Sequence, residues 1–324
     1  MKKSFSSAIL LLTFSFLVLN QLHGQEYRLN LIKRFYSIGT ASINGTYFPI
    51  GNSIARTLSA NLKNLVAIAE PTEGSVANVE YLRKGQIDLS LMQSDIAWQA
   101  ARGIGPFSEN PFKELKVLSS LYSEVIQIVV KSSSNIKTLS DLKGCKISVG
   151  SKESGSAVNA VQVLTAAGLQ PSDYELVYER FTRATESLKD GYVDAVYYTG
   201  GIPADGIVRL AGRTDIRLVV VPAEIQQKLV KEYPYFSSES IPAGSYRGQA
   251  EPVSSIGLRA LLVTTEGLSD HDAERFLQVI YQNSSSIAAQ NLVSTFFRRE
   301  DSLKGVDAEM MHRGALKFFQ KPAK

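Results

Sequence analysis

Ile50, Ile54, Leu58 and Leu62 recur every fourth position, the spacing of one helix face, while Arg28 to Ile38 reads as an extended, largely apolar strand. Between them lie residues 39–46, all small or hydroxylated apart from Ile43 and Asn44. Gly39 and Gly45 bracket this loop, where a missing Cβ lets backbone approach a bound molecule. Thr46 is placed as a helix N-cap, and Pro49 falls in the first turn, where its absent N–H costs nothing. A helix N-terminus offers open N–H donors and partial positive charge, so the stretch is suited to a small anion as well as to an ordinary strand–helix turn.

The pattern continues along the chain. Residues 66–69 form a short apolar strand, residues 70–75 a loop ending in the N-cap candidate Ser75, and Val76, Val79 and Leu82 a helix that Gly85 stops. Ile87 to Met92 reads as a buried strand running into Gln93-Ser94-Asp95 and a helix through Trp98. Val117 to Val130 is long, apolar and extended, a crossing between domains, with a second crossing at Ile256 to Thr264. Between the crossings the opening device returns: Ile147-Ser148-Val149-Gly150 leads through Ser154-Gly155-Ser156 into a helix with Ala157, Ala160, Val161 and Leu164 on one face. Gly191 to Tyr198 likewise echoes Gly85 to Met92. Arg217 to Val221 reads as the last strand of the second half, and Phe276, Leu277, Ile280 and Tyr281 mark a helix that returns to the first. The repetition predicts two α/β lobes, each a mainly parallel sheet with flanking helices: residues 25–125 plus 262–324, and residues 126–261.

Composition narrows the function. Hydrophobic residues at 44% and charged residues at 20% describe a globular chain of 324 residues. Lys2 and Lys3 precede an apolar run from Ala8 to Leu19 and then small Gly24, the order of a secretory signal peptide over residues 1–24. Its removal takes both lysines and brings the formal charge from +4 to +2, too small to suggest a nucleic-acid surface. Cys145 is the single cysteine, placed as a buried small hydrophobe, so no internal disulfide forms. His271 and His312 are placed on exposed helices, and no HExxH, CxxC, phosphate-loop or GxSxG pattern occurs. No metal and no cofactor is expected.

What remains is five loops at strand ends, at 39–46, 72–78, 93–95, 154–156 and 198–201. In an open α/β sheet, ligands bind beyond the carboxyl ends of strands, where helix N-termini converge. The expected ligand-binding residues are Gly39, Thr40, Ala41, Asn44, Gly45, Thr46 and Tyr47 in the first loop, then Ser75 and Asn78, then Gln93 and Ser94. Ser154, Gly155 and Ser156, with Tyr198 and Gly200, complete the set from the second half. No arginine falls in these loops; Arg180 and Arg183 begin a helix read as solvated, so a carboxylate is expected on hydroxyls and backbone N–H groups. Glu70, Glu73, Asp95, Glu124 and Glu153 keep carboxylate catalysis open.

Ser37-Ile38-Gly39-Thr40-Ala41-Ser42-Ile43-Asn44-Gly45-Thr46-Tyr47-Phe48-Pro49-Ile50-Gly51 resembles the opening signature of the TAXI family, the extracytoplasmic solute-binding subunits of tripartite ATP-independent periplasmic (TRAP) transporters. Gly74 to Glu80, Asp141-Leu142-Lys143-Gly144 and Ile241 to Tyr246 are similar to further blocks of that family, whereas Ala41 replaces a usual glycine and Ile43-Asn44 a glycine-rich pair. The resemblance implies a monomeric, periplasmic, two-lobed binding protein of type II-like build with its ligand in the interlobe cleft. It also implies a glutamate- or 2-oxoglutarate-like anion and a TRAP membrane subunit as partners. Tyr47 and Tyr198 would then close over the ligand or serve as core tyrosines. A secreted enzyme or an adhesin on the same fold would need, respectively, two cleft carboxylates of separated pKa or a large exposed apolar patch.

Overall fold

The computed structural model describes residues 33–290 and 298–322; the signal-peptide segment lies outside the described residues. Strand β1 (Arg34–Gly39) leads through the glycine-bracketed loop into helix α1 (Tyr47–Asn61), which buries Ile50, Ile54 and Leu58 against the sheet. Then come β2 (Leu65–Glu70), α2 (Ser75–Arg83), β3 (Leu89–Gln93) and α3 (Ser94–Arg102). Strand β4 (Leu115–Lys131) has 17 residues, about 56 Å at the usual rise, and is long enough to serve both parts of the sheet. Beyond it the alternation resumes with β5 (Lys146–Ser148), α4 (Gly155–Ala166), β6 (Glu175–Val177), α5 (Phe181–Asp190), β7 (Ala195–Gly200) and α6 (Asp205–Ala211). Strand β8 (Ile216–Val219), α7 (Ala223–Glu232) and β9 (Ser237–Ile241) precede the long return strand β10 (Val253–Thr265). Helices α8 (Asp270–Gln282), α9 (Ser284–Ala289) and α10 (Arg313–Gln320) finish the chain.

The strands join in the order β2-β1-β3-β10-β4-β7-β5-β6, with β8 on β4 and β9 on β10. β1 runs parallel to β2 and β3, and β5 parallel to β6 and β7. The centre is antiparallel, because β10 opposes β3, β4 and β9, and β4 opposes β7 and β8. The sheet is thus mixed, with a parallel wing in each half joined by the two crossing strands.

The apolar interior changes ownership along those strands. One cluster takes residues from Ile38 to Tyr122 and from Ala260 to Phe318, and two others take residues between Val125 and Leu258. The β4–β10 register slips between Ala260 and Leu261, at that changeover. α8 sits with the first cluster: Phe276 meets the Tyr36 ring edge-on at 5.0 Å, and Tyr36 donates to Asp272 at 3.3 Å.

Five local expectations are corrected. Thr46 precedes α1 but has helical backbone angles (φ −71°, ψ −33°) and makes no side-chain cap. Ser75 is the first residue of α2 rather than its cap; Gly74 holds that place at φ +119°, which only glycine adopts without strain. β9 follows β8, so Arg217 to Val221 is not the last strand of its half. His312 is buried: Nδ1 accepts from Gly314 N at 3.0 Å and caps α10, while Nε2 meets Leu268 O at 2.9 Å. Cys145 is only half-buried and donates its thiol to Asp141 O at 3.4 Å.

Candidate functional site

A cavity lies where the loops after β1, β2 and β3 meet those after β5, β6 and β7. Its volume is about 80 Å³. Ala41, Ser42, Gly45, Thr46 and Tyr47 line it from the first loop, with Glu73, Gly74, Ser75 and Gln93 beside them. The second half contributes Gly150, Ser151, Ser154, Gly155, Ser156, Phe181, Tyr198 and Thr199, among others. Glu124 enters from the crossing strand β4.

The expected residues divide. Ala41, Gly45, Thr46, Tyr47, Ser75, Gln93, Ser154, Gly155, Ser156 and Tyr198 meet at the cavity. Six others are placed elsewhere. A Cβ on Gly39 would lie 2.5 Å from Ile87 Cδ1, so that glycine serves strand packing. Thr40 is fully buried and donates its hydroxyl to Glu70 O at 2.7 Å. Asn78 is fully buried and donates to Thr40 O and Leu91 O at 2.8 and 3.1 Å, fixing the loop from behind. Ser94 accepts from Arg259 N at 3.1 Å, and Gly200 O accepts from Gln127 at 3.4 Å. Asn44 spans to the other half, donating to Thr182 at 2.8 Å.

The two halves are in hydrogen-bonding contact around the cavity. Thr46 N donates to the Tyr198 hydroxyl at 3.3 Å, and the two hydroxyls lie 3.0 Å apart. The opening amides of α2, Val76 N and Ala77 N, both donate to Glu153 O, at 3.1 and 3.2 Å. A carbonyl from the opposite half therefore occupies the N-terminus of α2. Arg180 pairs with Glu73, and Asn159 donates to Gln93 at 3.2 Å and to Asp95 at 3.4 Å. Glycines permit the approach: a Cβ on Gly155 would lie 1.7 Å from Gln93 Oε1, and one on Gly74 3.1 Å from Ser154 Cα.

Burial dominates the electrostatics. Glu124 is 1% exposed, and burial pushes its carboxyl up to about 8; Tyr47 donates to it at 2.6 Å. Burial lifts Asp95, behind the wall, to about 7 and the Tyr198 hydroxyl to about 12. Glu73 goes the other way: its bond from Arg180, helped by Ser151, holds it below the usual carboxylate range. Tyr197 also lines the cavity and is buried, with Thr199 beside its hydroxyl.

The expected set omitted Ser42, Glu73, Gly74, Gly150, Ser151, Ala184 and Thr199, and with them Glu124, Tyr197 and Phe181. Glu124 left a trace, as the single acid between Val117 and Val130, and stood among the candidate catalytic carboxylates rather than the ligand-binding set. Phe181, stacked on Tyr198 at 3.8 Å, left none, because an aromatic opening a helix is ordinary.

Two α/β halves joined by paired long strands, with a small cavity between them, define the two-lobed binding-protein fold. The chain belongs to the NMT1-like family, whose profile matches residues 38–321. An ancestral arginine-binding protein solved with arginine superposes with a TM-score of 0.51 at 18% identity, over 81% of this chain and 99% of that one. A candidate L-cystine ABC transporter protein from Listeria monocytogenes gives 0.53 at 14% identity, over 82% and 98%. At such identities the likeness establishes the fold alone. Among the described residues, no helix is long and apolar enough to cross a membrane.

Proposed function

We propose that this chain is an extracytoplasmic solute-binding protein that closes on a small organic anion, an amino acid or dicarboxylate of glutamate or 2-oxoglutarate type, and delivers it to a TRAP membrane subunit. The observation carrying this is the cavity itself: it is small, lined by hydroxyls, glycines and aromatic rings from both halves, and bridged by bonds between them. Such a site binds by closure, since each half supplies donors that a ligand satisfies together only when the cleft shuts. The neighbours' names, for arginine and L-cystine, favour amino acids, and the TAXI-like opening motif favours the TRAP partner. The switch of apolar clusters on β4 and β10 supports lobes of residues 25–125 plus 262–324 and 126–261. The protein acts as a periplasmic monomer without cofactor or nucleic acid, exported by residues 1–24.

Native mass spectrometry of protein purified from its own host tests the solute role, because a retained ligand adds its mass directly. Uptake by TRAP membrane subunits in proteoliposomes, with and without this protein, tests delivery. N-terminal sequencing that finds Met1 retained on soluble cytoplasmic protein removes export from the account.

One observation favours a second reading, a carboxylate-based enzyme: Glu73 and Glu124 line one cavity with pKa values moved apart. Glu73, however, is committed to Arg180. Recovery of the bound molecule unchanged after prolonged incubation rules for binding; a product of altered mass rules for turnover.

A further inference from the structure

Glu73 and Glu124 are the charged side chains lining the cavity, and no basic side chain joins them there. Arg180 answers Glu73. Glu124 forms no such pair: Arg259 acts on it only through its charge, and burial outweighs that. One of its oxygens accepts the Tyr47 hydroxyl at 2.6 Å, and the carboxyl makes no other hydrogen bond or ion pair among the described residues. Because Glu124 is 1% exposed yet lines the cavity, its second oxygen has the bound molecule as its available partner. A buried carboxyl left half-satisfied is unfavourable unless something completes it.

We propose that Glu124 receives the amino end of the ligand, so that the cleft selects amino acids over dicarboxylates of the same carbon skeleton. This rests on the solute-binding function above and narrows its ligand class. A dicarboxylate offers the second oxygen of Glu124 no donor and brings two negative charges to a cavity that no basic side chain lines. An amino acid sets its ammonium on Glu124 and leaves its carboxylate to the hydroxyls of Thr46, Ser75 and Ser156 and to the open amides at the start of α4.

A proton count follows. The groups facing Glu124 are Tyr47 from α1, Tyr122 on its own strand, Tyr198 from β7, Asp95 from α3 and Arg259 from β10. Burial outweighs them and holds the empty site's carboxyl protonated at neutral pH, up to about 8. Docking an ammonium ionises it: the O–H bond of Glu124 breaks, the carboxylate pairs with the ligand's ammonium, and the proton passes to the buffer.

Titration calorimetry with L-glutamate, L-glutamine, 2-oxoglutarate and glutarate, in phosphate and in Tris, tests this. At neutral pH the amino acids should bind with close to one proton released per ligand, the release fading by about pH 9 as the empty site ionises by itself. Glu124→Gln should weaken the amino acids by about a hundredfold or more and end the proton release, while sparing the dicarboxylates. Tyr47→Phe keeps the carboxyl and should keep the release; if Glu124→Gln does not fold, this variant and the wild-type proton count decide. Dicarboxylates binding as tightly as the amino acids, or amino acids binding without proton release, overturn the inference and leave the solute-binding function standing. No binding by any of the four removes the proposed ligand class, and this inference with it.

Discussion

The first and second halves of the cleft share one device, a glycine-bracketed loop opening a helix, but finish it differently. In the second half Ser154 caps α4 by accepting from Ala157 N at 3.2 Å, and Ser156 accepts from Thr199 N at 3.2 Å, both within that half. In the first half Thr46 makes no cap and turns its amide and hydroxyl to Tyr198, and α2 gives two amides to Glu153 O. The second loop caps its own helix; the first is completed by its opposite. Opening the cleft therefore strips partners mainly from the first half and hands them to water. Closure is then a matter of a few cross-cleft bonds, worth about 0.5–1.5 kcal/mol each, plus whatever the ligand adds.

The strongest way to break this arrangement is steric. Gly155→Ala puts a methyl 1.7 Å from Gln93 Oε1, and Gln93 can yield only by leaving Asn159. Overpacking of this kind costs about 1–3 kcal/mol, so ligand affinity should fall roughly ten- to a hundredfold. Small-angle scattering should show a more open molecule, with the unfolding temperature of the ligand-free protein nearly unchanged.

Hydroxyl deletions sharpen the contrast between the halves. Thr46→Ala should weaken ligand binding by up to about tenfold while leaving ligand-free stability within a few degrees. Ser154→Ala removes a true cap and should lower stability by about 1 kcal/mol even without ligand. Equal behaviour of the two variants in thermal melts would erase the asymmetry.

Asp95 gives the effect a pH axis. It belongs to the first half and receives Asn159 from the second. Its carboxyl, like that of Glu124, is lifted by burial, so the folded protein keeps protons that the unfolded chain releases. Their contribution is full below the ordinary carboxylate range and is lost as pH rises through about 7 for Asp95 and about 8 for Glu124. Unfolding temperature should fall across that window, and Asp95→Asn should flatten the lower part of the fall.

The smallest effect belongs to the rim. Arg180 is largely exposed, and such a pair with Glu73 contributes little, so Arg180→Ala should weaken binding by no more than about fivefold. Loss of binding in that variant would replace recognition by hydroxyls with an arginine clamp.

Much of the frame was legible because it is local. The strand–glycine–hydroxyl–helix series at Gly39 to Thr46 and again at Gly150 to Ser156 follows from turn chemistry and helix periodicity, which act over a few residues. So do the helices from Ile50 to Leu58 and from Ala157 to Leu164, and the long apolar runs that became β4 and β10. The site was legible only in part. Thr46 and Ser154 look alike in sequence, both hydroxylated residues ahead of a helix, yet one meets Tyr198 across the cleft and the other caps its own helix. Glu124 stands in an apolar run with nothing local to say that it faces a cavity, and His312 looks exposed until Leu268 folds over it. By itself the sequence determined where strands end and helices begin, since propensity and patterning are properties of neighbours along the chain. Which end of which helix is capped, crossed or left open was decided by tertiary structure, because those partners lie far apart in sequence and meet only when the two halves close.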